Sequence, residues 1–153
     1  MATTEPEAAS GTDVPGLPDH LVFYDGVCGL CAWAVRWLLD HDPHGRLQFA
    51  PIQGETAASL GIEWDDDAPP SEASVIFLDS TGPEPRIEHR SRAVAAALEA
   101  AGSWPVARLL IRATPRPLAD VVYRFVAAIR YRIWGKHDQC EIPSPERRSR
   151  FLP

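Results

Sequence analysis

Two cysteines separated by two residues, Cys28-Gly29-Leu30-Cys31, stand between a short apolar run that ends in Tyr24-Asp25-Gly26 and a segment with helical spacing. A dithiol at that spacing suits disulfide exchange: one thiolate attacks a substrate disulfide, and a second thiol close by resolves the mixed disulfide. Cys28 is expected at a helix N-cap, where unsatisfied N–H groups and the positive end of the helix dipole stabilise a thiolate. Cys31, one turn in on the apolar face, is expected to be shielded and more basic. Cys28 is therefore the expected nucleophile and Cys31 the resolving thiol. Gly29 is expected to leave the backbone open beside the attacking sulfur, and Leu30 to offer an exposed apolar contact to a substrate. Asp25 carries two readings. A carboxylate whose pKa is raised by burial takes the proton from Cys31, or a loop-capping carboxylate accepts backbone N–H groups at the strand end.

The same side chains also suit a metal. Cys28, Cys31, His137 and Cys140 are four good tetrahedral zinc ligands, so a zinc-binding structural or interaction module is the alternative function. Against it, a strand runs directly into the first cysteine pair and a helix begins within that pair. Cys140 otherwise reads as a small apolar filler or as a partner for the dithiol in a regulatory disulfide. His20, His41, His44 and His89 are scattered without metal or triad spacing, and Asp65–Asp67 lack the glycine and terminal Glu of a calcium loop. With no Gly-rich phosphate loop and no G-x-S-x-G elbow, no bound organic cofactor and no metal are expected in the redox reading.

Positioning these groups requires particular elements. Leu21-Val22-Phe23-Tyr24 reads as a central strand buried on both faces. Cys31 to Asp40 reads as a helix with Cys31, Ala34, Val35, Leu38 and Leu39 on one face and Arg36 paired with Asp40 on the other. Leu47 to Ala50 is a second strand, Glu55 to Leu60 a short helix stopped by Gly61, and Val75 to Leu78 a third strand. Arg86 to His89 returns antiparallel, and Ser91 is expected to cap a helix through Ala101 with Gly102 as its stop. The order βαβαββα, with one parallel crossover and a later hairpin, is the thioredoxin-like α/β layout. Residues 1–18 are expected as a disordered tail, 19–103 as the core, and 104–153 as a helical extension packed on it. In that extension Pro105–Ala113 and Leu118–Trp134 read as helices. Leu118, Val122, Phe125, Ile129 and Ile133 form an expected core-facing stripe, with Arg124, Arg130 and Arg132 off it.

The chain's 153 residues suit one domain, and three cysteines cannot build a secreted disulfide framework. No uninterrupted apolar run approaches a membrane span, no basic residue precedes a hydrophobic run at the N-terminus, and the absence of Asn removes N-glycosylation. A cytoplasmic location follows as the expectation. Residues 1–85 hold two arginines against fifteen acids, whereas residues 86–153 hold thirteen basic residues against six acids. The simplest reading is mutual compensation between two faces of one fold. No aromatic-interleaved basic cluster points to nucleic acid. A basic amphipathic helix lying on a membrane is weighed and set below a helix packed on the sheet.

The segment Tyr24-Asp25-Gly26-Val27-Cys28 resembles the signature of the DCC family of thiol-disulfide oxidoreductases, whose name fits Asp25, Cys28 and Cys31. The resemblance extends through Phe49-Ala50, Ser91-Arg92-Ala93, Arg116-Pro117-Leu118, Tyr131-Arg132, Trp134-Gly135-Lys136, Cys140, Pro143 and Arg150-Phe151-Leu152. It implies a thioredoxin-like fold and a dithiol-disulfide redox role. The implied partners are a disulfide-bearing protein or a small thiol and a separate electron donor. Two features depart from ordinary thioredoxins. Val27 replaces the usual tryptophan before the first cysteine, and Ser74 stands where a cis-proline precedes the third core strand. Ser74, Gly29 and Leu30 are the expected substrate-binding residues.

Overall fold

The computed structural model describes residues 16–63, 67, 75–136 and 144–153. The expected tail up to residue 15, the acidic loop apart from Asp67 and the ends around it, Ser74, His137 and Cys140 lie outside the described residues. Strand β1 (His20–Tyr24) is the spine of a four-stranded sheet in the order β2-β1-β3-β4. Helix α1 (Gly29–Asp40) carries the chain over to β2 (Leu47–Pro51), which pairs parallel with β1. A parallel neighbour requires such a crossover, because a tight turn can only reverse the chain. The short helix α2 (Glu55–Ser59) follows, and β3 (Ile76–Asp79) and β4 (Arg86–His89) then add antiparallel. This mixed sheet, with its helices, is consistent with the expected thioredoxin-like layout.

The unbroken apolar run in β1 is explained by burial on both faces. Val22 and Tyr24 pack with Val35, Leu39, Phe49 and Ala97 beneath α1 and α3 (Arg90–Ala101). Leu21 and Phe23 pack with Ala50, Ile52 and Ala57 on the face covered by α2. Leu17 joins this second cluster and the Pro18 carbonyl accepts a hydrogen bond from Ser80 Oγ at 2.7 Å, so ordered contacts begin inside the stretch expected as tail.

The far end of the chain closes the opposite edge of the sheet. Phe151 bridges parallel to Phe49, stacks on its ring at 5.6 Å, and meets Tyr24 edge-on. The Leu152 N–H donates to the Phe49 carbonyl at 2.8 Å, and Arg150 bonds the Leu47 carbonyl and the buried Asp42 carboxylate.

Two expectations need correction. Ser91 does not cap α3; the N-cap is His89, and Ser91 is buried, donating its hydroxyl to Asp120 at 2.9 Å. The stripe on the last long helix is also rotated. Helices α4 (Pro105–Ala113) and α5 (Arg116–Trp134) follow α3, but Leu118, Val122, Phe125 and Ile133 are all more than half exposed. The inward face of α5 is instead Tyr123, Val126, Ala127 and Arg130. Polar partners in the core select that face: Tyr123 Oη accepts the Val75 N–H at 2.8 Å, and Arg130 meets Asp25. Among the described residues no helix is long and apolar enough to cross a membrane.

Candidate active site

The turn after β1 sets the geometry. Asp25 directly follows the strand, its Oδ1 accepts the Val27 N–H at 3.1 Å, and the Asp25 carbonyl accepts the Cys28 N–H at 3.3 Å. Cys28 is the N-cap of α1 with extended backbone angles, and its carbonyl accepts the Ala32 N–H at 3.0 Å as an opening helical bond. Cys31 lies one turn into the helix. Both cysteines are free thiols, so this is the reduced dithiol.

The two thiols are tuned in opposite directions. The hydrogen bond from the Cys31 thiol pulls the Cys28 pKa down to about 6; burial opposes, while the Cys31 and Leu30 N–H groups and the Arg130 charge assist. Cys31 is pushed up, first because its thiol proton is held by Cys28, then by burial and the negative charge on Cys28. Exposure runs against the sequence-based expectation. Cys28 is fully buried, whereas Cys31 is partly open. The cover is the stretch after α5: Lys136 forms an isolated antiparallel bridge to Cys28, and the Gly29 N–H donates to the Gly135 carbonyl at 3.3 Å. Gly135 turns the chain back over the motif at φ +76°, a conformation that favours glycine. Gly29 is consequently buried rather than open.

Beneath the thiols lies a buried ion pair absent from the sequence reading. Arg130 Nη2 donates to Asp25 Oδ2 at 2.9 Å, with both side chains less than 5% exposed. Tyr131 O–H donates to the same oxygen, Arg130 Nη2 lies 3.0 Å from Tyr131 Oη, and Gln53 Nε2 donates to Asp25 Oδ1 at 2.9 Å. Gln53 Oε1 also accepts the Gly26 N–H at 3.1 Å. Asp25 therefore receives four donors. Burial, and the hydrogen bond donated to Asp25, raise Tyr131 to about 12. Burial opposes the Arg130 charge, yet the neighbouring Cys31, Tyr131, Cys28 and Asp25 hold its pKa above the ordinary value.

On the Cys31 side the site opens into a groove of about 700 Å³ between α1, α3, α4 and α5. Leu30, Cys31, Trp33, Trp37, Trp104 and Tyr123 are among its walls, and Arg130 is its buried cation. Trp37 stacks on His41 at 4.0 Å and meets Trp104 edge-on, which fixes one wall. Ser74 falls outside the described residues, but the adjacent Val75 has its N–H engaged by Tyr123. Among the described residues no three His, Cys, Asp or Glu side chains are grouped to hold a metal, and two of the four proposed zinc ligands, His137 and Cys140, lie outside that set.

Residues 22–136 match the family model described as DCC1-like thiol-disulfide oxidoreductase. The chain belongs to this family. The match runs from the buried strand β1 through both cysteines, Arg130 and the Lys136 bridge, so it contains the whole site described above. The chain is 34% identical over 143 residues to the uncharacterized protein YuxK of Bacillus subtilis, covering 90% of this chain and 96% of the relative. It is 28% identical over 123 residues to a DCC family protein of Arabidopsis thaliana labelled chloroplastic, covering 80% of this chain and 69% of that protein. No solved structure gives a significant match.

The sequence reading missed Arg130, Tyr131 and Gln53 as parts of the site. A signal existed for the arginine: Asp25 directly follows a strand buried on both faces, and a carboxylate there needs a cation. The front half of the chain is too poor in arginine to supply it readily, so the rear half had to.

Proposed function

We propose that this chain carries out dithiol-disulfide exchange through Cys28 and Cys31, with Cys28 as nucleophile and Cys31 as resolving thiol. The observation that carries this reading is the placement of two free thiols at the start of α1, Cys28 at its N-cap and Cys31 one turn in, where the hydrogen bond between them lowers the pKa of the first and raises that of the second. The thiolate is the attacking species, so the deprotonated Cys28 is the better nucleophile even though Cys31 is the more open residue. Attack requires Lys136 to part from Cys28. The Cys28 thiolate then forms a bond to one substrate sulfur, the substrate S–S bond breaks, and the first substrate thiol leaves with a proton from solvent. Cys31 next attacks the Cys28 sulfur, the bond from Cys28 to the substrate sulfur breaks, and the Cys31 proton passes to the departing second substrate thiolate. Two electrons pass to the substrate, and a separate dithiol donor must return them to the Cys28–Cys31 disulfide.

Asp25 acts in this scheme as a positioning residue. Four donors occupy its oxygens, so its carboxyl group is engaged in holding Arg130, Tyr131, Gln53 and the Val27 N–H in place below the thiols. Its N–H bond from Val27 is the loop-capping contact considered for it. Substrate contact falls to Leu30 and the apolar groove rather than to the backbone of Val75, whose N–H is already engaged. This favours a disulfide flanked by apolar groups, in a reducing compartment such as the cytoplasm.

The test uses the reduced full chain with insulin and a small aromatic disulfide. Turnover by the native chain, its loss in Cys28→Ser and a trapped mixed disulfide on Cys28 in Cys31→Ser are the expected results. Undiminished turnover in Cys28→Ser removes the assignment.

A further inference from the structure

Helices α4 and α5 present to solvent the kind of surface that proteins ordinarily bury. Among the described residues, ten of the thirteen exposed large apolar side chains fall between residues 104 and 134, so this apolar exposure is concentrated on these two helices. Val106, Leu109 and Leu110 share one face of α4, and Val121, Val122 and Phe125 share one face of α5; each is between 57 and 67% exposed. Contiguous apolar exposure of this kind marks an interaction surface.

The charges around it specify the partner. The same stretch holds six arginines and a single acid, Asp120, which is turned inward onto Ser91 Oγ. Arg112 is tied to Glu99 and Arg130 to Asp25, but the exposed Arg124 and Arg132 have no ion pair or hydrogen bond among the described residues. A second copy seated face to face would set Arg124 and Arg132 against arginines, the nearby Glu99 and Glu88 being already engaged by Arg112 and Arg116. A helix with an apolar face bordered by arginines suits the headgroup boundary of an anionic bilayer, where apolar burial and charge attraction add.

We propose that α4 and α5 dock this chain on an anionic lipid surface. Leu110, Val122 and Trp104 belong both to the exposed set and to the walls of the groove beside Cys31, so docking turns the groove mouth toward the lipid.

The test is flotation of the full reduced chain with phosphatidylcholine vesicles and with vesicles that also contain phosphatidylglycerol. The expected result is at least about tenfold more binding to the anionic vesicles, weakening steeply as salt is raised. Val121→Glu with Phe125→Glu abolishes binding. Arg124→Gln with Arg132→Gln, which leaves the apolar face intact, lowers it about tenfold or more with an unchanged circular dichroism spectrum. The arginine pair decides the matter should the glutamate variant fail to fold. Equal or absent binding to the two vesicle types by folded protein overturns the proposal. So does a dimer in solution that the glutamate variant dissolves without any lipid binding by the native chain.

Discussion

Replacing Arg130 with Met tests the centre of the site, because the guanidinium serves both the fold and the thiols. Its side chain and that of Asp25 are both less than 5% exposed, and their ion pair is 2.9 Å long. Removing one member of such a pair strands the other charge away from water and costs about 3–5 kcal/mol. Arg130→Met is expected to lose that much in urea denaturation of the reduced protein at neutral pH. Asp25→Asn is expected to lose somewhat less, because the amide keeps an oxygen for the Val27 N–H. The double variant strands no charge, so its loss falls short of the sum of the singles by about 2 kcal/mol, within the range of coupled contacts. A second measurement separates charge from packing. Arg130→Met raises the Cys28 pKa, because a cation facing the thiolate is lost. Asp25→Asn leaves it unchanged or lowers it, because the guanidinium is freed from its counter-charge. Thiolate ultraviolet absorbance against pH reads both. Additive stability losses within about 0.5 kcal/mol, or pKa shifts of the same sign in the two variants, refute the reasoning.

Alkylation of Cys28 by iodoacetamide should be half-maximal at about pH 6, and Cys31→Ala should move that midpoint up by removing the thiol donor; an unmoved midpoint denies the hydrogen bond its leading part. Because the folded Cys28 pKa lies below the unfolded one, the unfolded chain binds more protons between the two values. The reduced protein therefore gains stability over the oxidised protein as pH rises through that window, and loses it as pH falls through about 6. Gly54→Ala should destabilise the fold by about 1–3 kcal/mol, since its Cβ would lie 2.8 Å from the Pro153 carbonyl carbon and displace the bond from Thr56 N–H to Pro153. Unchanged melting with undiminished hydrogen-exchange protection at Thr56 would count against this. Tyr123→Phe should cost about 1–3 kcal/mol by leaving the Val75 N–H without its partner, read by thermal melting; a neutral result means that water replaces the hydroxyl.

The local elements were legible because their signals are local. The apolar run of β1, the turn at Asp25-Gly26 and the glycine after α3 each act within a few residues of themselves, and the strands begin and end within a residue or two of their expected limits. The cysteines' place at the head of α1 follows from the same short-range pattern. The rotation of α5 was hidden because two stripes on that helix compete. The more apolar one, through Leu118 and Phe125, attracts a reading based on hydrophobicity. The stripe actually buried mixes a small residue, Ala127, with Tyr123 and Arg130, whose burial depends on partners far away in sequence. The pairing of Asp40 with Arg147, and of Asp42 with Arg150, is hidden for the same reason. These contacts, like Asp25–Arg130, each join an acid of the front half to an arginine of the rear half. The cover over Cys28 was also beyond local reading, since it depends on how Gly135 redirects the chain after α5.

The Asp25–Arg130 contact spans 105 residues, and the Lys136 bridge to Cys28 spans slightly more. Contacts so distant along the chain carry a closure cost that short-range contacts do not. With β1, α1 and β2 formed but α5 undocked, the dithiol would lack both its cover and the guanidinium. Charge and cover reach Cys28 from one segment, Arg130 on α5 and Gly135-Lys136 just after it, so any loss of α5 docking removes both at once. An undocked α5 would leave Cys28 uncovered but its pKa still lowered, because its leading donors, the Cys31 thiol and the Cys31 and Leu30 N–H groups, lie within α1.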